Sequence, residues 1–386
     1  MKIIIRNCNV AELDIPLKYA TKLYNEFAIR HPNAFYLRTR QRGMQNWDGK
    51  IKYITKTGQF KIGLLPSVYK RCIELGIKPI IVDMRQPLPK VSKVVTQIGK
   101  YKLRPEQEKA VKAILSNKLG ETPFQIGVLD YTVNAGKTLI MSALYLSYKK
   151  QLKTLLITND SDWLNQARDE FKQYLPGEDI TFVQGKVLNW SNFTIGMVQS
   201  ISRNMKYYQN ELAKIDMVLI DEADQGGSKQ YQNVITRLFN TRVRIGLSGT
   251  IYMSKLAKDK VKNMNLRCFF GDVIAEFKLK DSIKKGYSTK TIVKTVEGKP
   301  WFGNWESDCM SYNEIYDDSI THNKIAWTMA LDRLKWNLNQ GRYPALVVCK
   351  HIAHCENLCK FFKKKLDNKY NIACVHVNTH TKLRQR

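Results

Sequence analysis

Ile126-Gly-Val-Leu-Asp-Tyr-Thr-Val-Asn-Ala-Gly-Lys-Thr-Leu-Ile-Met141 is the stretch that decides the fold, because it has the pattern of a buried strand, a tight loop and a helix start. A phosphate-binding loop needs inward-pointing backbone N–H groups, a lysine for the outer phosphates and a hydroxyl for magnesium. Gly136-Lys-Thr138 fills the last three places of G-x-x-x-x-G-K-[ST], whereas Tyr131 replaces the first glycine. The following helix, to about Tyr148, adds the positive end of its dipole. A nucleotide-binding loop is predicted, with an ordinary helix start as the alternative.

Two later strands also end in polar residues. Val218-Leu-Ile-Asp-Glu-Ala-Asp224 is an apolar run that ends in carboxylates, and Ile245-Gly-Leu-Ser-Gly-Thr250 ends in hydroxyls. A strand buried on both faces reads as continuous apolar residues, and a parallel α/β sheet binds ligands at the carboxyl ends of its strands. Asp221 is therefore predicted to hold Mg²⁺ while Glu222 polarises the attacking water. The alternative is three unrelated core strands with polar ends.

The residues Ala135–Thr138, Asp221–Asp224 and Ser248–Thr250 resemble motifs I, II and III of superfamily 2 helicases. This resemblance implies two RecA-like domains that close on ATP and Mg²⁺, with DNA bound across both. It also implies an ATP-dependent DNA helicase or translocase that acts on branched, recombination or replication intermediates. The site residues follow by motif. The catalytic residues are Lys137, Asp221 and Glu222; the nucleotide-binding residues include Asn134, Ala135, Gly136, Lys137 and Thr138; the magnesium ligands are Thr138 and Asp221; and the coupling residues are Asp224, Ser248 and Thr250.

Composition favours a polyanionic partner. The 386 residues carry 63 Lys and Arg against 34 Asp and Glu, a formal net charge of +29, and 44% of them are hydrophobic. Such a charge points to nucleic acid, whether branched, single-stranded or duplex DNA. The sequence has no run of about 18 apolar residues and no signal-peptide pattern, so we expect no membrane partner and a cytoplasmic protein, in the host cytoplasm if the source is viral. Its eight cysteines lack a framework spacing, which predicts reduced thiols.

The amino-terminal segment is predicted to be a small α+β domain. Its elements would be strand Lys2–Arg6, helix Pro16–Arg30, a hairpin of Ile51–Ile54 and Phe60–Gly63 around Thr57-Gly58, helix Pro66–Gly76 and strand Lys78–Val82.

A basic, tryptophan-containing stretch within this segment is the candidate DNA surface. Guanidinium groups contact phosphates, and an indole stacks on an unpaired base. Residues 1–100 hold 19 basic and 6 acidic side chains, which favours DNA contact even without the motor domain. In the alternative, the tryptophan caps a small core and the arginines form a solvated face. The candidates are Arg38, Arg40, Arg42, Trp47 and Lys50.

Further site candidates in the motor domain come from the resemblance. The R-P-x-Q element of the family reads adenine, which assigns that role to Arg104 and Gln107; an amide offers the donor and acceptor that the N6 and N7 edge of adenine requires. Strand ends similar to backbone-contact motifs add Thr158, Gln199 and Ser200 as DNA contacts, with Gly185 and Lys186 as weaker candidates. Asp160 and Asp162 are instead predicted to cap the next helix.

Strands that alternate with helices between about Val94 and Gly286 predict an α/β fold with a RecA-like, doubly wound parallel sheet. We expect three domains: residues 1–90 with a linker, 91–286 as the first RecA-like domain, and 287–386 as the crossover and the start of a second one. In that last part, strands Ala345–Cys349 and Ile372–Asn378 would flank helix His351–Leu366. His351, Cys355 and Cys359 are spaced by four, which suggests metal ligands. The cysteines, however, belong to an apolar seam, which favours core residues; its members are Ile352, Cys355, Cys359, Phe362 and Leu366.

The family's arginine-finger pattern, Q-x-x-G-R-x-x-R, is not found after Asn378. The expectation is therefore a second RecA-like domain that is truncated or completed by a separate chain. Because an arginine finger supplies a factor of roughly 10³–10⁵ in rate, one alternative is a DNA-binding or annealing protein that binds ATP but hydrolyses it negligibly, unless Arg384 or Arg386 provides the finger. Another is the motor subunit of a restriction enzyme, for which the sequence shows no nuclease carboxylate cluster.

Overall fold

The computed structural model describes the chain except residues 41–42, 92, 186, 253–256, 291–292, 294–310, 343, 367–368, 377–378 and 380–386. The chain forms two compact units, Met1–Lys290 and Thr291–Arg386, and each is described by itself. None of the helices in the described ranges is both long and apolar enough to cross a bilayer.

The strands of the first unit are β1 (Lys2–Ile5), β2 (Val10–Asp14), β3 (Ala28–Arg30), β4 (Lys50–Lys52), β5 (Gln59–Lys61), β6 (Ile80–Asp83), β7 (Gln97–Ile98), β8 (Tyr101–Lys102), β9 (Lys118–Leu119), β10 (Thr122–Pro123), β11 (Ile126–Tyr131), β12 (Thr154–Thr158), β13 (Ile180–Gln184), β14 (Val187–Leu188), β15 (Phe193–Met197), β16 (Met217–Asp221), β17 (Val243–Ser248) and β18 (Val273–Phe277). Its helices are α1 (Leu17–Glu26), α2 (Ala34–Arg40), α3 (Leu65–Glu74), α4 (Pro105–Leu115), α5 (Lys137–Ser147), α6 (Ser161–Tyr174), α7 (Val198–Arg203), α8 (Met205–Ala213), α9 (Lys229–Ile235), α10 (Ala257–Phe270) and α11 (Leu279–Lys284).

The central sheet confirms the predicted RecA-like α/β fold. Its order is β14-β13-β15-β12-β16-β17-β11-β18, in which seven strands are parallel and β14 is an antiparallel edge. Strands β11, β12, β16 and β17 are buried throughout, because helices cover both faces of the sheet. Strands β16, β17 and β11 are neighbours, so the ends of the three predicted motif strands lie side by side.

The amino-terminal segment and the motor sheet share one hydrophobic core. Ile3 and Ile5 of β1 belong to the same buried cluster as Phe269 and Phe270 of α10. The Tyr53 hydroxyl also donates a hydrogen bond to Asn265 Oδ1 over 3.0 Å. Residues 1–90 and 91–286 therefore belong to the same compact unit, and the division between them stays a prediction.

The amino-terminal elements differ from the prediction in how they pair. Strands β5-β2-β1-β6 form one sheet, while β3 and β4 form a separate pair. The predicted helix Pro16–Arg30 ends at Glu26, because the chain then enters β3. The predicted hairpin is wrong: the turn at Gly58 exists, with φ +84°, but its two sides pair with different strands and share a single bridge, Ile54–Phe60.

The second unit contains α12 (Tyr312–Tyr316), a π-helical turn (Asp317–Thr321), α13 (Lys324–Asn339) and α14 (Ile352–Lys365). Helix α14 matches the predicted helix. The predicted strand Ala345–Cys349 and the described part of Ile372–Asn378 are not strands, because neither segment pairs with a neighbouring strand among the described residues.

The core of this unit is small, and the cysteines lie at its edge. Among the described residues, its buried apolar side chains are Leu331, Leu358, Phe362 and Leu366. Cys355 and Cys359 are half-buried beside it, and Cys355 Sγ lies 3.4 Å from Cys374 Sγ. The apolar-seam interpretation thus holds for Phe362 and Leu366, whereas the two thiols reach only its margin.

Candidate nucleotide-binding site and nucleic-acid surface

The loop between β11 and α5 has the backbone of a phosphate cradle. Asn134 and Gly136 both adopt positive φ, +65° and +72°, the left-handed conformation that suits glycine and that asparagine tolerates. A Cβ atom at Gly136 would overlap the amide nitrogen of Gln107, so the position requires glycine on two grounds. Lys137 and Thr138 follow in the first turn of α5, where backbone N–H groups and the helix dipole favour an anion.

Strand β16 brings its carboxylates to the lysine of this loop. Lys137 Nζ lies 3.5 Å from Asp221 Oδ1 and 3.9 Å from Glu222 Oε1. Burial raises the pKa of the Asp221 carboxyl, and the nearby Lys137 charge opposes that shift. Burial also raises the pKa of the Glu222 carboxyl. The positive charge of Lys137 opposes this shift and the negative charge of Asp221 adds to it. About half of the Glu222 side chain is exposed.

The residues at this edge fit a magnesium–nucleotide complex. Asp221 Oδ1 is buried and accepts no hydrogen bond within the part of the chain that the structure describes. A cation that prefers oxygen ligands can bind this unpartnered carboxylate oxygen. Mg²⁺ typically uses one or two carboxylates or hydroxyls together with phosphates. Asp221 and Thr138 would hold the ion, which would neutralise charge on the phosphates.

The polar end of β17 is hydrogen-bonded to the end of β16. Ser248 Oγ donates to Asp224 Oδ1 over 3.0 Å, and the Thr250 amide donates to Ser248 Oγ over 3.2 Å. Glu222 adopts φ +51° at the same turn. The structure therefore links the three predicted coupling residues, Asp224, Ser248 and Thr250, into one network at the carboxyl ends of β16 and β17.

Gln107 makes contacts other than the predicted adenine pairing. Its amide nitrogen donates to Ala135 O over 2.9 Å, and its carbonyl oxygen accepts from the Arg104 amide over 2.8 Å. The side chain is only 2% exposed. Arg104 Nη2 in turn donates to Asn134 O over 3.0 Å. Gln107 and Arg104 thus hydrogen-bond to the backbone of the loop in this structure, and their adenine-reading role stays a prediction.

The predicted DNA contacts in the motor sheet are mostly internal. Thr158 is buried and its hydroxyl accepts from the Asp160 amide; Ser200 is also buried, and its hydroxyl accepts from the Gly185 amide. Gln199 donates to Asn159 O over 3.1 Å. These polar strand ends satisfy neighbouring loops, because buried polar groups require partners. The hydroxyls of Thr158 and Ser200 therefore have partners within the protein, and their DNA contacts stay predictions; Lys186 lies outside the described residues.

Helix capping follows the prediction where the structure describes it. Asp160 Oδ1 accepts a hydrogen bond from the Trp163 amide over 3.2 Å, at the start of α6. Asp160 therefore satisfies a free N–H group at the helix N-terminus, as an N-terminal aspartate commonly does.

The predicted amino-terminal DNA surface is a solvent-facing region. Arg38 and Arg40 are exposed on α2, and Lys50 is exposed at the start of β4. Trp47 is half-buried: its indole N–H donates to Lys50 O over 2.9 Å, and its ring packs edge-on against His31 at 5.9 Å. Arg42 lies outside the described residues.

Sequence reasoning missed two aromatic residues on the same helix. Phe35 and Tyr36 are 79% and 55% exposed, which is unusual for large apolar side chains. The Arg40 guanidinium lies 5.0 Å from the Tyr36 ring centroid. The available signal is the run Ala34–Arg40, in which two adjacent aromatic residues precede two arginines; the sequence analysis assigns no helix to this run and therefore no exposed face.

Together, the fold and the site define the class: the chain resembles superfamily 2 helicases. Residues 100–253 match the family described as "Type III restriction enzyme, res subunit". The ATP-dependent DNA helicase UvsW of Enterobacteria phage T4 is 23% identical over 366 residues, an alignment that covers 87% of this chain and 68% of the helicase. The sequence resemblance is thereby confirmed.

Solved structures agree at the level of the fold. A crystal structure of the UvsW helicase from bacteriophage T4 superposes with a TM-score of 0.57 and 21% identity, covering 71% of this chain and all of that one. Another structure of T4 UvsW gives 0.55 and 20%, covering all of this chain and 76% of the other. At these identities the likeness supports the RecA-like fold alone.

Proposed function

We propose that this protein is an ATP-dependent DNA helicase or translocase. One observation carries the proposal: Lys137 of the phosphate loop lies within 4 Å of the carboxylates of Asp221 and Glu222, at the carboxyl edge of a parallel sheet. This arrangement supports nucleotide hydrolysis, in which a lysine and a metal stabilise phosphate charge and a carboxylate orients water. The similarity to a DNA helicase supports the coupling of that chemistry to DNA.

The proposed roles follow from the geometry. Lys137 contacts the outer phosphates, and Thr138 and Asp221 hold Mg²⁺. Glu222 accepts a proton from the attacking water, and its partly exposed carboxylate is accessible for that task. The network of Asp224, Ser248 and Thr250 transmits the state of the nucleotide to bound DNA.

We further propose that DNA engages the amino-terminal helix α2 and its neighbourhood. Exposed guanidinium groups and aromatic rings on one short helix suit backbone contacts and base stacking, respectively. Arg38, Arg40, Phe35, Tyr36 and Trp47 are the residues concerned. Branched or recombination intermediates are the proposed substrates, by analogy with the family, and the cytoplasm is the proposed location. Residues 91–286 would be the motor domain.

The decisive experiment compares the protein with its Lys137→Ala variant. We expect ATP hydrolysis that is stimulated by DNA, and displacement of a strand from a branched DNA substrate, both abolished by Lys137→Ala. RNA of the same sequence in parallel reactions distinguishes an RNA-directed enzyme. ATP binding without stimulated turnover would favour the hydrolysis-silent alternative, and unchanged hydrolysis in the variant would remove the phosphate-loop assignment.

A further inference from the structure

Tyr287, beyond the last helix of the first unit, lies beside the nucleotide loop without a role in any recognised motif. The Arg104 guanidinium lies over its ring, 4.3 Å from the centroid. The same guanidinium donates through Nη2 to Asn134 O in the loop, over 3.0 Å. A single side chain thus spans from the phosphate cradle to an aromatic face. We propose that Tyr287 is the stacking platform for the nucleobase, and that the base displaces Arg104 from the ring.

The Tyr287 ring is held firmly in position. Gly286, with φ +74°, turns the chain after α11, and the Tyr287 amide donates to Ser282 O over 2.9 Å. The ring packs against Phe277 at 6.5 Å, and Phe277 packs against Tyr131 of β11 at 6.0 Å. An aromatic row therefore runs from the strand that precedes the loop to the half-buried Tyr287. A fixed ring loses little conformational freedom when a base stacks on it.

The geometry requires displacement rather than insertion. A planar base between the guanidinium and the ring would need a gap of roughly 7 Å, twice the usual van der Waals contact distance. The observed 4.3 Å leaves room for one planar group on the ring. Arg104 also has an anionic neighbour, since its Nε lies 3.3 Å from Glu106 Oε1, so it can leave the ring without losing every partner.

Stacking on Tyr287 also explains how a base binds at a site where the Gln107 side-chain amide is already hydrogen-bonded to the protein. Both polar atoms of the Gln107 side chain already contact protein groups, Ala135 O and the Arg104 amide. A flat aromatic face binds any base through its π surface, and such stacking is sequence-tolerant. The proposal rests on the proposed ATP-binding function and assigns the base to a residue outside the motifs.

The test is isothermal titration of the full chain with Mg²⁺ and either ATP or tripolyphosphate, which has the phosphates but no base. We expect Tyr287→Ala to weaken ATP binding about tenfold while tripolyphosphate affinity stays unchanged. Tyr287→Phe keeps the aromatic face and should bind ATP as the wild type does. Tyr287→Leu keeps an apolar side chain against Phe277 but has no planar ring, so it should also weaken ATP binding about tenfold. This variant tests the proposal even if the alanine variant folds poorly.

Two controls separate this proposal from the proposed function. Tyr19→Ala removes another half-buried tyrosine that is paired with a cation, Lys18 at 4.9 Å, and should change neither affinity. Lys137→Ala should weaken the binding of both ATP and tripolyphosphate. The stacking proposal is overturned if the leucine variant binds ATP normally, or if it loses ATP and tripolyphosphate in equal proportion. Wild-type protein that binds neither ligand would refute the proposed function itself, and the stacking role with it.

Discussion

At the scale of single residues, burial disfavours the ionised form of the Asp221 carboxyl, and a bound cation would stabilise it. Burial raises its pKa above the ordinary 3.8. A carboxyl with a raised folded pKa binds more protons when folded than when unfolded, so it lowers stability as pH rises from the unfolded pKa through the folded value. We expect Asp221→Asn to raise the unfolding midpoint of the nucleotide-free protein at neutral pH and to flatten this acidic pH dependence, measured by scanning calorimetry. A lower midpoint at all pH values would show instead that pairing with Lys137 dominates.

Gln107 is the second test at this scale, because sequence and structure assign it different partners. Its hydrogen bonds to Ala135 O and the Arg104 amide brace the loop that receives the phosphates. Each net hydrogen bond is worth about 0.5–1.5 kcal/mol, so loss of both in Gln107→Leu should weaken binding of ATP and tripolyphosphate alike, by roughly 5- to 150-fold. If ATP binding weakens while tripolyphosphate binding stays unchanged, the result would support the adenine-reading role that the sequence predicts.

At the scale of secondary-structure elements, β17 fastens the amino-terminal segment to the motor. Its Arg244 is fully buried, and burial lowers the guanidinium pKa to about 10. It donates to Cys8 O and Asn9 Oδ1, both over 2.8 Å, and to Phe269 O over 3.2 Å. This one side chain therefore joins the β1–β2 turn, the sheet and the end of α10.

Removing that side chain should loosen the joint between the elements. Arg244→Ala leaves three buried acceptors without a donor and creates a cavity, so we expect a loss of about 3 kcal/mol or more in the free energy of unfolding, measured by urea titration. Arg237→Ala, an exposed arginine on the turn after α9, is the matched control and should change stability by less than about 0.5 kcal/mol. Equal stability of both variants would mean that the apolar core alone holds the segment in place.

The sequence predicted these elements unevenly, for physical reasons. The motor strands were recognisable because strands buried on both faces are continuous apolar runs, as in β11 and β16. The short amino-terminal strands β3 and β4 have three residues each, too few for a period to be visible. The turn at Gly58 was evident, but which strands its sides would join depends on contacts distant in sequence. The internal roles of Thr158 and Ser200 likewise depend on neighbours that a motif does not specify.

At the scale of the whole molecule, the charge of +29 predicts salt-sensitive binding to nucleic acid, because neutralised phosphates release counterions. The amino-terminal segment contributes strongly to this excess. Since it shares its core with the motor, its contribution is best measured within the full chain rather than on an isolated fragment. Exposed aromatics and arginines on α2 then allow two kinds of contact to be separated, stacking on bases and neutralisation of phosphates.

Fluorescence anisotropy on single-stranded, duplex and four-way DNA at several salt concentrations measures the two contributions, base stacking and phosphate neutralisation, separately. Tyr36→Ala should cost about 1–3 kcal/mol on single strands and junctions and little on duplex, because stacking requires an unpaired base. Arg40→Ala should weaken binding to all three and reduce the slope of log K against log salt by about 1. Lys70→Ala, which removes one exposed charge from α3, controls for net charge and should leave the slope unchanged. If Arg40 and Lys70 prove equivalent, the phosphates are attracted by the overall field of the protein, and α2 is not the surface on which DNA is positioned.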